Sequence, residues 1–124
     1  MRTSTNRLNL ILFILLLSAC GKSLPELDGV DKQAWINDKN ACNGTRTAML
    51  DTLRFQKEKL LALSEIQVVE LLGRPDQNEL SKRNQKFYYY FIQPAKDCST
   101  PKPEALRLVI RFNAIGLAKE ITVE

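Results

Sequence analysis

The chain of 124 residues contains no histidine. That absence removes the side chain most used as a general base and the commonest metal ligand, and with it most hydrolytic constellations. There is no C-x-x-C pair, Gly-rich phosphate loop or nucleophile elbow, and three cysteines alone do not complete a metal shell. Acid pairs such as Asp38 with Asp51, or Glu65 with Glu70, have no spacing that selects a shared site and read as solvated helix residues. The sequence therefore predicts no enzyme, no metal and no cofactor. Glycine and proline number only five each, and 44% of residues are hydrophobic against 26% charged, which excludes collagen-like and disordered classes. No apolar run reaches the roughly 18 residues of a membrane-spanning helix. The length suits one domain.

What is present begins at the N-terminus. Arg2 and Arg7 precede Leu8 to Leu17, an apolar run interrupted only by Asn9, the order of a secretory signal's charged and hydrophobic regions. Ten residues at 1.5 Å per residue cover about 15 Å, roughly half of a bilayer's hydrocarbon, so the run is expected to be cleaved rather than to span. Leu17-Ser18-Ala19-Cys20-Gly21 resembles the lipobox of bacterial lipoproteins. That resemblance implies a signal peptide over 1–19, diacylglycerol on the Cys20 thiol and acylation of the new amine, so that membrane lipid is a partner through Cys20. Two or three acyl chains, at about 0.8 kcal/mol per buried methylene, make a durable anchor where one chain is marginal. Gly21 stands where enterobacterial lipoproteins retained in the inner membrane carry Asp, and by that analogy the outer membrane is the destination. Cleavage removes Arg2 and Arg7, leaving 16 Lys plus Arg against 14 acids. No basic stripe remains, and nucleic acid is rejected as a partner.

With Cys20 given to lipid, Cys42 and Cys98 are an even pair in an exported protein, and a disulfide between them is expected. It would close a loop of 57 residues, and constraining the unfolded chain in this way contributes about 4 kcal/mol.

Along the rest of the chain, residues 20–30, with Ser23, Pro25 and Gly29, read as the lipidated cysteine and a flexible tether, and 31–124 as a single domain. Asp31 to Asp38 predicts a short helix around Trp35. From Thr45, the positions of Met49, Leu50, Leu53, Leu60 and Leu61 predict one long amphipathic helix. Ser64 to Leu72 carries a capping box from Ser64 and Gln67, an apolar stripe, a terminating Gly73 and Pro75. Three strands follow: Lys86 to Ile92, rich in aromatics; Ala105 to Phe112, alternating; and Leu117 to Val123 after the turn Asn113-Ala114-Ile115-Gly116. The proline-rich segment Gln93 to Glu104 is a loop. The expected architecture is an α+β two-layer sandwich, two helices on a three-stranded antiparallel sheet in the order α-α-β-β-β.

Both faces of the first strand are aromatic. The reading places Phe87, Tyr89 and Phe91 toward the helices, and Tyr88, Tyr90 and Ile92 on the open face with Arg107, Val109 and Arg111. A patch of aromatics and arginines is what protein interfaces are enriched in; the alternative is that the tether, the Trp35 helix or the proline loop covers it.

The segment from Ser64 through Leu72-Gly73-Arg74-Pro75, the Tyr-rich strand, and Val109-Ile110-Arg111-Phe112-Asn113-Ala114-Ile115-Gly116-Leu117 resemble the SmpA/OmlA (BamE-like) lipoproteins. Over about residues 45 to 123, that resemblance implies a non-enzymatic accessory of outer-membrane protein assembly that binds an envelope protein. The chain departs from the family in its Trp35 segment, the Cys42 and Cys98 pair and the proline-rich connection, which opens a second reading. In the first, Tyr88, Tyr90, Arg107 and Arg111 dock an envelope protein partner. In the second, an inhibitor-like or ligand-binding module of β-lactamase-inhibitor-like shape makes contact through Lys96, Asp97 and Lys102 around Cys98.

Overall fold

In the computed structural model, which describes residues 21–124, the Asp31 carboxylate accepts from the Ala34 N–H at 3.1 Å and starts helix α1, Lys32–Asn37. The signal segment 1–19 and Cys20 lie outside the described residues. A 3-10 turn, Lys39–Ala41, leads to α2, Thr45–Ala48, and α3, Leu50–Gln56. These two short helices and a second 3-10 turn, Lys57–Leu60, replace the single long helix expected from Thr45. The break sits at Met49, whose φ of −95° and ψ of 1° lie in the sparsely allowed bridge region. Gln56 ends α3 because its buried side chain bonds the backbone of Asp28 at both ends, accepting from its N–H at 2.9 Å and donating to its carbonyl at 2.6 Å. The tighter turn that follows brings Leu60 fully into the core.

Helix α4, Glu65–Leu72, forms as its sequence predicts. The Ser64 hydroxyl accepts from the Gln67 N–H, and the Gln67 side chain accepts in return from the Ser64 N–H. Gly73 ends it with φ of 76°, and a Cβ there would come within 2.9 Å of Ile36 on α1, so a bare backbone is what lets the two helices meet.

The sheet has four antiparallel strands in the order β1-β2-β3-β4, rather than the three expected: β1 Gln77–Leu80, β2 Lys86–Phe91, β3 Arg107–Phe112 and β4 Ala118–Val123. The missed strand is an edge of four exposed residues, Gln77-Asn78-Glu79-Leu80, held by main-chain pairing to β2 and carrying no apolar alternation for a sequence to reveal. A tight connection with Arg83 at φ 63° and Asn84 at φ 57° turns the chain back into β2. The β3–β4 turn is as expected: Gly116 takes φ 82°, and the Asn113 carboxamide oxygen accepts from the N–H groups of Ile115 and Leu117.

The register places Tyr88 opposite Ile110 and Tyr90 opposite Leu108, on the face that meets the helices. Tyr90 is fully buried, and its hydroxyl donates to the Gly73 carbonyl at 2.8 Å; Tyr88 is 9% exposed, and its hydroxyl donates to Glu65 at 3.0 Å. The face assignment made for β2 is thus reversed: Phe87, Tyr89 and Phe91 lie outside with Arg111, Val109 and Arg107, their cross-strand partners. Burying a tyrosine is tolerable where its hydroxyl finds an acceptor, and the helix end at Gly73 and the carboxylate of Glu65 supply two. Trp35, Leu53, Leu63, Val68 and Leu72 from the helical layer pack with Tyr90, Ile92, Leu108, Ile110 and Phe112 into one core. Among the described residues, no helix is long and apolar enough to cross a membrane.

Two segments outside the regular elements are fixed onto this frame. Cys42 and Cys98 form a disulfide, with Cα atoms 5.2 Å apart, joining the end of the α1 region to the β2–β3 loop; Ala95 N–H donates to the Asn40 carbonyl beside it. Gly21–Val30, expected as a free tether, is instead strapped to the domain. Leu27 enters the core, Lys22 Nζ donates to the Lys59 and Leu61 carbonyls at 2.8 and 2.7 Å, and Gln67 Nε2 donates to the Lys22 carbonyl. Open carbonyls at the end of the 3-10 turn and one apolar residue suffice to pin ten residues that composition alone marks as linker.

Candidate interaction surface

The surface facing away from the helices is built by β1 to β4 in rows set by the register. One row runs Gln77, Tyr89, Val109, Thr122, the next Glu79, Phe87, Arg111, Glu120, and Phe91 stands opposite Arg107. The Phe87 and Tyr89 rings stack with centroids 6.2 Å apart at 7°, and the Arg107 guanidinium lies over Tyr89 at 4.1 Å from the centroid. Such a cation over an aromatic face is attracted by the ring's quadrupole. Arg107 makes no ion pair among the described residues, whereas Arg111 reaches Glu120 at 3.4 Å on the rim. The Tyr89 hydroxyl donates to Glu79 at 3.0 Å, and burial followed by that hydrogen bond pushes its pKa up. Phe87, Tyr89, Phe91, Arg107 and Arg111 are each half-buried on this face, and Val109 among them is 6% exposed.

Of the residues singled out from sequence, Arg107 and Arg111 are therefore together on this surface, half-buried at their stems, while Tyr88 and Tyr90 are not on it. Phe87, Tyr89 and Phe91 take their place. The signal that could have fixed the phase is Ile92, buried and of the same parity as Tyr88 and Tyr90.

The β2–β3 loop presents the alternative set. Lys96, Asp97 and Lys102 are all exposed, and Lys102 N–H donates to the Pro94 carbonyl at 3.0 Å, so the loop folds back on itself beside the disulfide. Cys98 is buried under it.

Underneath both surfaces lies a polar cluster with no counterpart in the sequence reading. Arg46 and Asp76 form an ion pair at 2.6 Å with side chains 1% and 0% exposed. Arg46 Nε donates to the Trp35 carbonyl, Arg46 Nη1 also donates to the Phe91 carbonyl, and the Asp76 carboxylate accepts from the N–H groups of Asn40 and Phe91. The guanidinium lies 4.8 Å from the Trp35 ring centroid. Asp38, expected as a solvated residue, is buried and accepts from the N–H groups of Asn43 and Arg46. The cluster joins α1, α2, the chain ahead of β1 and the end of β2, and so fixes where the outer face ends and the disulfide loop begins. Glu65, the other acid weighed as part of a pair, binds Lys86 at 2.7 Å and Tyr88; the lysine hydrogen bond holds its carboxyl below the usual range despite partial burial. No group of three or more His, Cys, Asp or Glu among the described residues could hold a metal ion. No family model matches the chain, and no curated protein or solved structure matches it.

Proposed function

We propose that this chain is a bacterial envelope lipoprotein, anchored through Cys20 at the outer membrane, whose domain is a non-catalytic protein-binding module serving outer-membrane protein assembly or envelope integrity. The observation that carries the reading is the outer sheet face. A stacked pair of aromatics, a third aromatic and two arginines, one without a carboxylate partner among the described residues, stand together and half-buried on one face of the sheet. Aromatics and arginine are the residues that dominate protein interfaces, because they bury much area with few rotors and bond in fixed directions. The order of charged region, apolar run and Leu-Ser-Ala-Cys supports the anchor, and the resemblance to SmpA/OmlA lipoproteins supports the choice of partner class.

A second reading rests on the β2–β3 loop, where a disulfide holds exposed Lys96, Asp97 and Lys102 in place; it makes the protein an inhibitor-like or small-ligand-binding lipoprotein. Substitutions separate the two. Tyr89→Ser with Arg107→Ala abolishes partner binding under the first reading and leaves it intact under the second, while alanine at Lys96, Asp97 and Lys102 does the reverse. If neither set changes binding in folded protein, both readings are wrong. Cys20→Ser tests the anchor, since it moves a lipoprotein out of the membrane fraction.

A further inference from the structure

The lipid reading of Cys20 and the strap seen at Gly21–Val30 together have a geometric consequence. Gly21, Lys22 and Ser23 lie against Ala62, Ser64, Gln67 and Leu117, at the end of the domain where α4 begins and the β3–β4 turn closes. Lys22 is fixed there through both its ammonium and its carbonyl. Cys20 is two residues before Lys22, two peptides and at most about 7 Å away by Cα spacing. An acylated Cys20 thus leaves only Gly21 between the lipid-bearing residue and the fixed Lys22.

The same end carries two large apolar side chains open to solvent, Ile66 in the first turn of α4 at 73% and Ile115 in the β3–β4 turn at 79%. The elements bearing them are joined by the bridge between Ser64 and Leu117, and Gly116 lies against the Glu65 carboxylate. That carboxylate is paired with Lys86, which offsets its repulsion from a lipid surface. Isolated exposed apolar residues are ordinary; these two stand within two residues of Ser64 and Leu117, which line the same hollow as Gly21, Lys22 and Ser23.

We propose that Ile66 and Ile115 insert into the interface of the bilayer that holds the Cys20 lipid, seating the domain in one orientation with the α4 N-terminus and the β3–β4 turn against the membrane. Resting on the lipoprotein reading, this seat makes the short anchor an orienting device rather than a leash. It also leaves the β2–β3 loop and Cys42–Cys98 disulfide, which join the chain at the other ends of β2 and β3, directed away from the membrane.

The test uses the mature chain, residues 20–124, with Cys42 and Cys98 oxidised, so that Cys20 is the only thiol. It is coupled to maleimide lipid in phosphatidylcholine vesicles, and amide hydrogen exchange is compared with that of uncoupled protein. The Glu65 and Ile66 amides have no intrahelical acceptor and are not taken by the capping side chains of Ser64 and Gln67, so they exchange readily in free protein and covering them is readable. The seat predicts slowed exchange at 64–67 and 113–117, no change over the β2–β3 loop, and loss of the slowing in Ile66→Ser/Ile115→Ser, which is still coupled and folded. Unchanged exchange on the vesicles, slowing that survives the double substitution, or slowing elsewhere overturns it. The mass of the Cys20 peptide from native cells decides the anchor separately. An unacylated Cys20 overturns the lipoprotein reading and the seat with it, whereas an acylated Cys20 with unchanged exchange overturns the seat alone.

Discussion

Arg46 Nη1 and Asp76 Oδ2 are 2.6 Å apart with both side chains out of solvent, thirty residues apart in sequence and at the junction of helices and sheet. Removing one partner of such a pair leaves an uncompensated buried charge, which costs about 3–5 kcal/mol. Arg46→Met and Asp76→Asn are each expected to lose stability in that range. The double variant loses less than the sum, because neither charge is then stranded. Urea denaturation of the four proteins closes the cycle, and additive losses would show that the two groups are held independently.

The disulfide constrains the unfolded chain over a sequence separation of 56, and the chain-entropy argument gives about 4 kcal/mol for a loop of that length. Cys42→Ala/Cys98→Ala should therefore lower the unfolding free energy by about that amount. Hydrogen exchange should quicken in 93–106 first, since Ala95 and Lys102 then keep only backbone bonds to hold the loop. A loss well under 1 kcal/mol would mean that the unfolded chain is already compact there.

The two adjacent tyrosines of β2 should behave oppositely. Tyr90→Phe leaves the buried Gly73 carbonyl without its donor, which costs about 1–3 kcal/mol. Tyr89→Phe removes a hydroxyl at an exposed pair with Glu79 and should stay within about 0.5 kcal/mol of the parent. Equal losses in thermal or urea unfolding would contradict the register.

Stability should fall at both pH extremes through one contact. The Glu65 carboxyl, hydrogen-bonded by Lys86, has its pKa lowered from 4.5, so its contribution is present above that value and is lost as pH falls through the lower folded-state value. Tyr88 is pushed up to about 12, first by burial and then by its bond to Glu65. Its contribution is present below the ordinary tyrosine value of 10 and is lost as pH rises from there through about 12. Denaturation at pH 3, 7 and 11.5 reads both limbs. Glu65→Gln should flatten the acid limb, and a variant with unchanged acid sensitivity would show that other carboxylates govern it.

How far the sequence carried the fold depends on whether each element advertises itself locally. Helix α4 does, because Ser64, Gln67, Gly73 and Pro75 act within one turn of its ends. The β3–β4 hairpin does, because its inner row is apolar and its turn holds Asn113 and Gly116. Strand β2 is legible as a strand but not in phase, since the unbroken run Phe87-Tyr88-Tyr89-Tyr90-Phe91 puts aromatic area on either face, and the choice is made by hydroxyl acceptors on other elements, Gly73 and Glu65. Strand β1 has no local signal at all; its residues are exposed, and backbone pairing to β2 creates it. Arg46 and Asp76 give no sign of their pairing, because a buried pair looks the same in sequence as two solvated ones. The candidate surface was accordingly half legible: its arginines were placed, and its aromatics were taken from the wrong side of the strand.

The proposed function stands on the outer face being a protein contact, and site-specific photo-cross-linking in the cells that make the protein tests it most directly. A photo-reactive residue at Tyr89 is compared with one at Lys102, each in the full chain with its Cys20 intact. The account predicts a discrete adduct to an envelope protein from position 89, absent when Arg107→Glu is added, and none from position 102. Adducts from position 102 alone, or from 89 regardless of Arg107, would contradict it.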